Sequence, residues 1–136
     1  MMLMDSPDRN ALWTKLVAAQ AQVARLYWET NHCIDEIEDL CETIEKAARV
    51  TNDEEILAIV QTVKKTIAAE IAENTKSFAD IVGDSEISRT SRADLIQDVL
   101  AETQELQRAM QASRDRAFLL REKLKRLVPQ AAVRRQ

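Results

Sequence analysis

One glycine and two prolines in 136 residues leave little from which to build tight turns, so a strand-rich sandwich or a ligand-enclosing barrel is excluded. Histidine occurs once, and the chain has no glycine-rich phosphate loop and no nucleophile elbow. The usual means of acid–base and nucleophilic catalysis are missing, so no enzymatic activity and no cofactor are expected. No stretch approaches the ~20 uncharged apolar residues that a membrane span requires. The opening Met1-Met2-Leu3-Met4-Asp5 lacks the regions of a secretory signal, and the expectation is a soluble, cytoplasmic chain. Cys33 and Cys41 are the only cysteines. Eight positions apart on one helix, they lie roughly 12 Å apart along its axis, too far for a disulfide. Both read as reduced thiols in or near a core.

What the chain does have is apolar residues at helical spacing. Leu12, Leu16, Ala19, Val23, Leu26, Thr30, Cys33, Ile37, Leu40, Ile44 and Ala47 follow a three-four pattern that only a long helix gathers on one face. The adjoining column, Trp13, Gln20, Tyr27, Ile34, Cys41 and Ala48, is also mostly apolar. Such a stripe is wider than a two-stranded seam and points to a bundle. The pattern returns in Ile56, Val60, Val63, Ile67, Ile71, Asn74, Phe78 and Val82. It returns again in Ile96, Val99, Thr103, Leu106, Met110, Ser113, Ala117, Leu120, Leu124 and Leu127.

Residues 1–6 read as a disordered N-terminus ending in an N-cap at Ser6, with Pro7 in the first helical position. The first helix is expected over about 7–49. Asn52, paired with Glu55 in a capping box, opens a second helix over 53–82, which Gly83 stops. A polar loop from Ser85 to Ser91 ends in an N-cap at Ser91, and a third helix covers 92–128 until Pro129 ends it. Residues 129–136 are left as a basic tail. The fold class is all-α, an antiparallel up-down-up bundle of three long helices in one domain, 7–128. On its seams, Thr30, Thr103 and Ser113 are expected to bond their hydroxyls to the preceding turn, and Asn74 to set register.

The net charge of −4 conceals an asymmetry. Residues 108–136 hold nine bases and two acids, whereas residues 1–107 hold ten bases and twenty-one acids. In an up-down-up bundle, Asp35, Glu36, Glu38, Asp39, Glu42 and Glu45 fall at the same end as the basic surface of Arg114, Arg116, Arg121, Lys123, Lys125 and Arg126. Internal complementarity therefore accounts for much of the basic run. Its lack of aromatics beyond Phe118 argues against nucleic acid. His32 with Glu36 and Cys33 do not share one face and do not form a metal site. The Ser85–Ser91 loop, with Arg89 and Arg92 beside it, is a candidate for phosphorylation. The second helix is shorter than the first, which leaves Leu12, Trp13, Leu16 and Val17 on an apolar overhang suited to docking or to homodimer formation.

Several short runs carry a family resemblance. Glu54-Glu55-Ile56, Ile59 and Val63-Lys64-Lys65-Thr66, then Lys76-Ser77-Phe78, Arg89-Thr90-Ser91 with Asp94-Leu95, Leu106, Ala109-Met110 and Leu120-Arg121-Glu122 with Lys125 are similar to the N-terminal three-helix regulatory domain of syntaxins, the Qa-type SNARE proteins. Leu106 stands where that family carries an aromatic residue and Ser113 where it often has tyrosine. Asp8-Arg9 is too short to be its N-terminal peptide, and the chain contains no SNARE heptad segment or membrane anchor. The resemblance implies control of membrane fusion at the cytosolic face of a membrane. It implies a groove between the first and third helices that docks a SNARE segment, and a Sec1/Munc18-type partner. Tyr27, Ile34, Cys41 and Phe118 are the candidate groove residues. The alternative is a bacterial or viral coiled-coil adaptor, chaperone or assembly subunit unrelated to SNAREs.

Overall fold

A computed structural model describes residues 6–82 and 87–133. The fold is all-α: α1 is Ser6–Thr51, α2 is Glu54–Val82 and α3 is Ala93–Val133. The expected bounds of α1 and α2 hold to within two residues. The disordered stretch expected before Ser6, the stop at Gly83, Ser85 and the tail arginines Arg134 and Arg135 lie outside the described residues.

The turn between α1 and α2 differs from its expectation in which residue caps. Asn52 takes a left-handed conformation, φ 58°. Its N–H donates to Arg49 O at 3.3 Å, and the Asp53 N–H donates to Ala48 O at 2.9 Å. This is a Schellman ending of α1, with asparagine in the place that glycine usually takes. The N-cap of α2 is therefore Asp53, whose Oδ1 accepts the Ile56 N–H at 3.2 Å, and not Asn52.

Ser91 does not cap α3 either. Its hydroxyl accepts the Ser88 N–H at 3.0 Å, and the first helical bond runs from the Ile96 N–H to Arg92 O. At the other end α3 continues through Pro129 to Val133, so residues 129–133 are helix and not tail. Proline removes one hydrogen bond, but Ala131 is fully buried in the core and Leu127 and Val128 pack against it. Those contacts hold the last turn.

The chain divides into two compact units. One comprises Met1–Trp28 with Asn74–Ala112, the other Glu29–Glu73 with Ser113–Gln136. In the second, one continuous core runs along Cys33, Ile34, Ile37, Cys41, Ile44 and Ala48 of α1, Ile56, Val60, Val63 and Ile67 of α2, and Ala117, Leu124 and Ala131 of α3. The three-four seam and its adjoining column merge here: Ile34, Cys41 and Ala48 are fully buried, while Leu40 and Ala47 are only half-buried. Each fully buried Ile or Leu contributes about 1.5–3 kcal/mol. Within this unit α1 and α2 are antiparallel, because Glu45, back from the turn, meets Gln61 and Lys64 ahead of it.

In the first unit the buried residues form two smaller clusters. Leu16 and Ala19 pack with Ile96 and Leu100, and Val23 and Leu26 pack with Met110. Along α1 and α3 these contacts advance together, so the two helices run parallel. Tyr27 stacks on Phe78 of α2, with ring centroids 4.4 Å apart. The expected overhang is thus covered. Leu16 has no exposed surface, and Leu12 and Trp13 pack against the Ile96–Leu100 cluster, because α3 is long enough to run beside this part of α1. Only Val17, 46% exposed, faces out.

Candidate helix-docking surface

The second unit carries the charged and apolar features that define a surface. On its α1–α3 side, Arg114 Nη1 lies 2.9 Å from Glu29 Oε1 and Arg121 Nη1 lies 2.9 Å from Glu36 Oε1. Both partners advance by one heptad, which requires parallel helices in constant register. The half-buried ring of Phe118 lies between the two guanidinium groups, at 5.3 and 4.8 Å from its centroid. Cation–π contact and ion pairing thus line the α1–α3 face, where the family resemblance implies a groove. Of the acids expected to meet the basic run, Glu36 does so; Arg114 meets Glu29 instead, Glu45 pairs with Lys64 of α2, and Arg116 reaches α2.

There, Arg116 binds the Glu70 carboxylate through two hydrogen bonds, Nε at 2.8 Å and Nη2 at 3.2 Å. Ser113 Oγ, fully buried, donates to the same carboxylate at 2.7 Å. Ser113 thus reaches across to α2, and Thr103 bonds back to the preceding turn at Val99 O, 2.8 Å away. The Arg116 guanidinium holds the Glu70 carboxyl below its usual range. At the turn end of α1, hydrogen bonding from Lys64 lowers Glu45 in the same way. On α3, Lys125 does so for Glu122.

Next to the Glu70 cluster, α2 and α3 leave an apolar cleft of about 240 Å³. Ile34, Ile67 and Ala117 form its buried floor, Leu119 and Leu120 one wall, and Thr66 the other, with Glu70, Arg116 and Lys123 at its rim. Leu119 is 64% exposed. On the far flank of α2 a second cleft is lined by Cys41, Ile67, Ala68 and Ile71, and its rim carries Glu38, Glu42, Glu45 and Lys64. The two flanks of α2 therefore differ in rim charge.

The candidate residues read from sequence fall into different settings. Ile34 and Cys41 belong to the core, each forming part of a cleft wall or floor. Tyr27 is half-buried against Phe78, and Phe118 is enclosed by arginines. Of the basic surface, Arg114, Arg116 and Arg121 are in ion pairs and Lys125 is paired with Glu122. Lys123 and Arg126 are exposed. Burial raises the Cys33 and Cys41 thiol pKa values, which disfavours the reactive thiolate. Glu36 is engaged by Arg121, and among the described residues no group of three or more His, Cys, Asp or Glu side chains is placed to hold a metal ion. Leu119 was not singled out by spacing because it lies off the seam. The signal is Ala117-Phe118-Leu119-Leu120, four consecutive apolar residues where one seam accommodates at most two.

These features define an all-α three-helix protein with apolar clefts on either side of its middle helix. No family model, no curated protein and no solved structure matches the chain. Among the described residues no helix is long and apolar enough to cross a membrane.

Proposed function

We propose that this chain is a non-enzymatic interaction module that docks a partner helix in the α2–α3 cleft, acting as a syntaxin-like regulatory domain in SNARE assembly. The observation that carries the docking reading is Leu119, a large side chain 64% exposed beside a cleft with an apolar floor. An amphipathic helix laid along the cleft would bury Leu119 and insert side chains at i, i+3, i+4 and i+7 over Ile67 and Ala117. The SNARE part rests on the resemblance of short runs in α2 and α3. The ion-paired α1–α3 face favours the second reading, an adaptor whose partner helix is not a SNARE, because the resemblance implies a groove on that face.

The test is fluorescence anisotropy of a labelled Qa-type SNARE segment titrated with the full chain. Saturable binding that Leu119→Glu weakens at least tenfold supports both parts of the proposal. If this segment fails to bind but other amphipathic helices bind in a Leu119-dependent manner, the adaptor reading replaces the SNARE reading. Absence of any Leu119-dependent helix binding overturns the docking reading itself.

A further inference from the structure

Resting on the helix-docking reading, we infer that the α2–α3 cleft selects a helix whose apolar stripe is flanked by aspartate or glutamate. The cleft's own acid, Glu70, is engaged by Arg116 and Ser113. Its carboxylate is thereby committed within the protein, while Lys123 stands exposed at the rim. The opposing α2 wall is Thr66, which is uncharged. Residues at the e and g positions of a docked helix lie beside such rims and set partner choice through charge. An acid-flanked helix would meet Lys123 favourably, and a lysine-flanked one would be repelled. A second copy of this chain is a poorer occupant, because two such clefts face to face would oppose Lys123 with the same residue. At the α1–α2 cleft Glu45 is engaged by Lys64 and Arg49 and Glu42 by Lys46, while Glu38 adds a further acid at the rim.

The experiment uses two labelled three-heptad peptides with the same leucine stripe, one flanked by glutamate and one by lysine, titrated with the full chain. The glutamate peptide is expected to bind at least tenfold tighter, with an advantage that shrinks as salt rises. Lys123→Glu should reverse the preference, Leu119→Glu should abolish binding of the glutamate peptide, and Ala68→Glu in the other cleft should leave it unchanged. Because Leu119, Lys123 and Ala68 are all exposed, the three variants should keep the parent's helical melting curve. Equal affinity of the two peptides, or a preference that survives Lys123→Glu, overturns the charge assignment. The docking reading then still stands if Leu119→Glu weakens binding. Loss of binding in Ala68→Glu but not in Leu119→Glu overturns the choice of cleft, and no binding of either peptide overturns the inference outright.

Discussion

The two compact units are built from the same three helices under the same three-four pattern, yet their interiors differ. The second has one continuous core in which α1 contributes both its seam and its adjoining column, including Ile34, Ile37, Cys41 and Ile44. The first has two smaller clusters, and Thr103 lies between their α3 members, Leu100 and Met110. In the second unit Arg114, Arg116, Arg121 and Lys64 each reach a glutamate on another helix, beside local pairs such as Lys46–Glu42; in the first, Arg92–Asp94 and Arg108–Glu105 are local and exposed. Periodicity fixes which face is buried, and side-chain size together with cross-helix partners decides how firmly. The cleft proposed for docking is carried by the unit with the continuous core.

That contrast can be broken by core truncation. Leu124→Ala in the continuous core is expected to reduce unfolding free energy by about 3–5 kcal/mol, read as a shift of the denaturant midpoint. Leu16→Ala, the same chemical deletion in the smaller cluster, should fall near the lower end, about 2–3 kcal/mol, because a small cluster relaxes more easily around the void. Native-state hydrogen exchange should show residues 12–26 exchanging before residues 33–48. Equal truncation effects and equal protection would show that the units are one cooperative body.

The next effect in size concerns Glu70. Glu70→Gln should destabilise by about 1–2 kcal/mol, since Ser113 is buried and loses a charged acceptor. The carboxyl is held below its usual range, so the unfolded chain binds its proton more readily. The stabilisation is complete above the ordinary glutamate pKa of about 4.3 and is lost as pH falls through the lower folded value. As pH falls below about 4.3, the wild-type protein should therefore lose stability more steeply than Glu70→Gln. Parallel pH profiles for the two would remove Glu70 from the account. Asn52→Val should follow at about 1–2 kcal/mol, because a β-branched residue tolerates the left-handed turn poorly, while Asn52→Gly should be neutral or slightly stabilising.

Much of the fold was legible because long, strongly periodic helices announce themselves. The ends of α1 and α2 lay within two residues of expectation, and the parallel pairing of α1 with α3 followed from the up-down-up order of three helices with short connections. The caps were not legible. Asn52 and Asp53 are adjacent and both can cap, and only the backbone bonds to Arg49 and Ala48 decide between them. The cleft was legible only in part. The seam pattern identified Ile67, Ala117 and Leu120 as apolar and inward, but Leu119 becomes a surface feature only when α2 is placed beside α3. Reasoning from helix length alone exposed Leu12, Trp13 and Leu16, because it compared α1 with α2 and left out the cover that α3 supplies.

The smallest effect sharpens the comparison at the edge of the unit with the continuous core. Proline in a helix interior costs about 3 kcal/mol, since the Lys125 carbonyl loses a donor and the ring crowds that turn. Pro129 lies one turn from the end of α3 at Val133, where a frayed turn could avoid most of that penalty. Ala131, however, is fully buried in the continuous core, so the turn is held and part of the strain is retained. Pro129→Ala should therefore raise stability by about 0.5–1 kcal/mol and slow amide exchange over residues 130–133. A gain near 3 kcal/mol would mean that the last turn is as firm as the helix interior. No gain would mean that Ala131 does not anchor it, and the second unit's core would then end at Leu124.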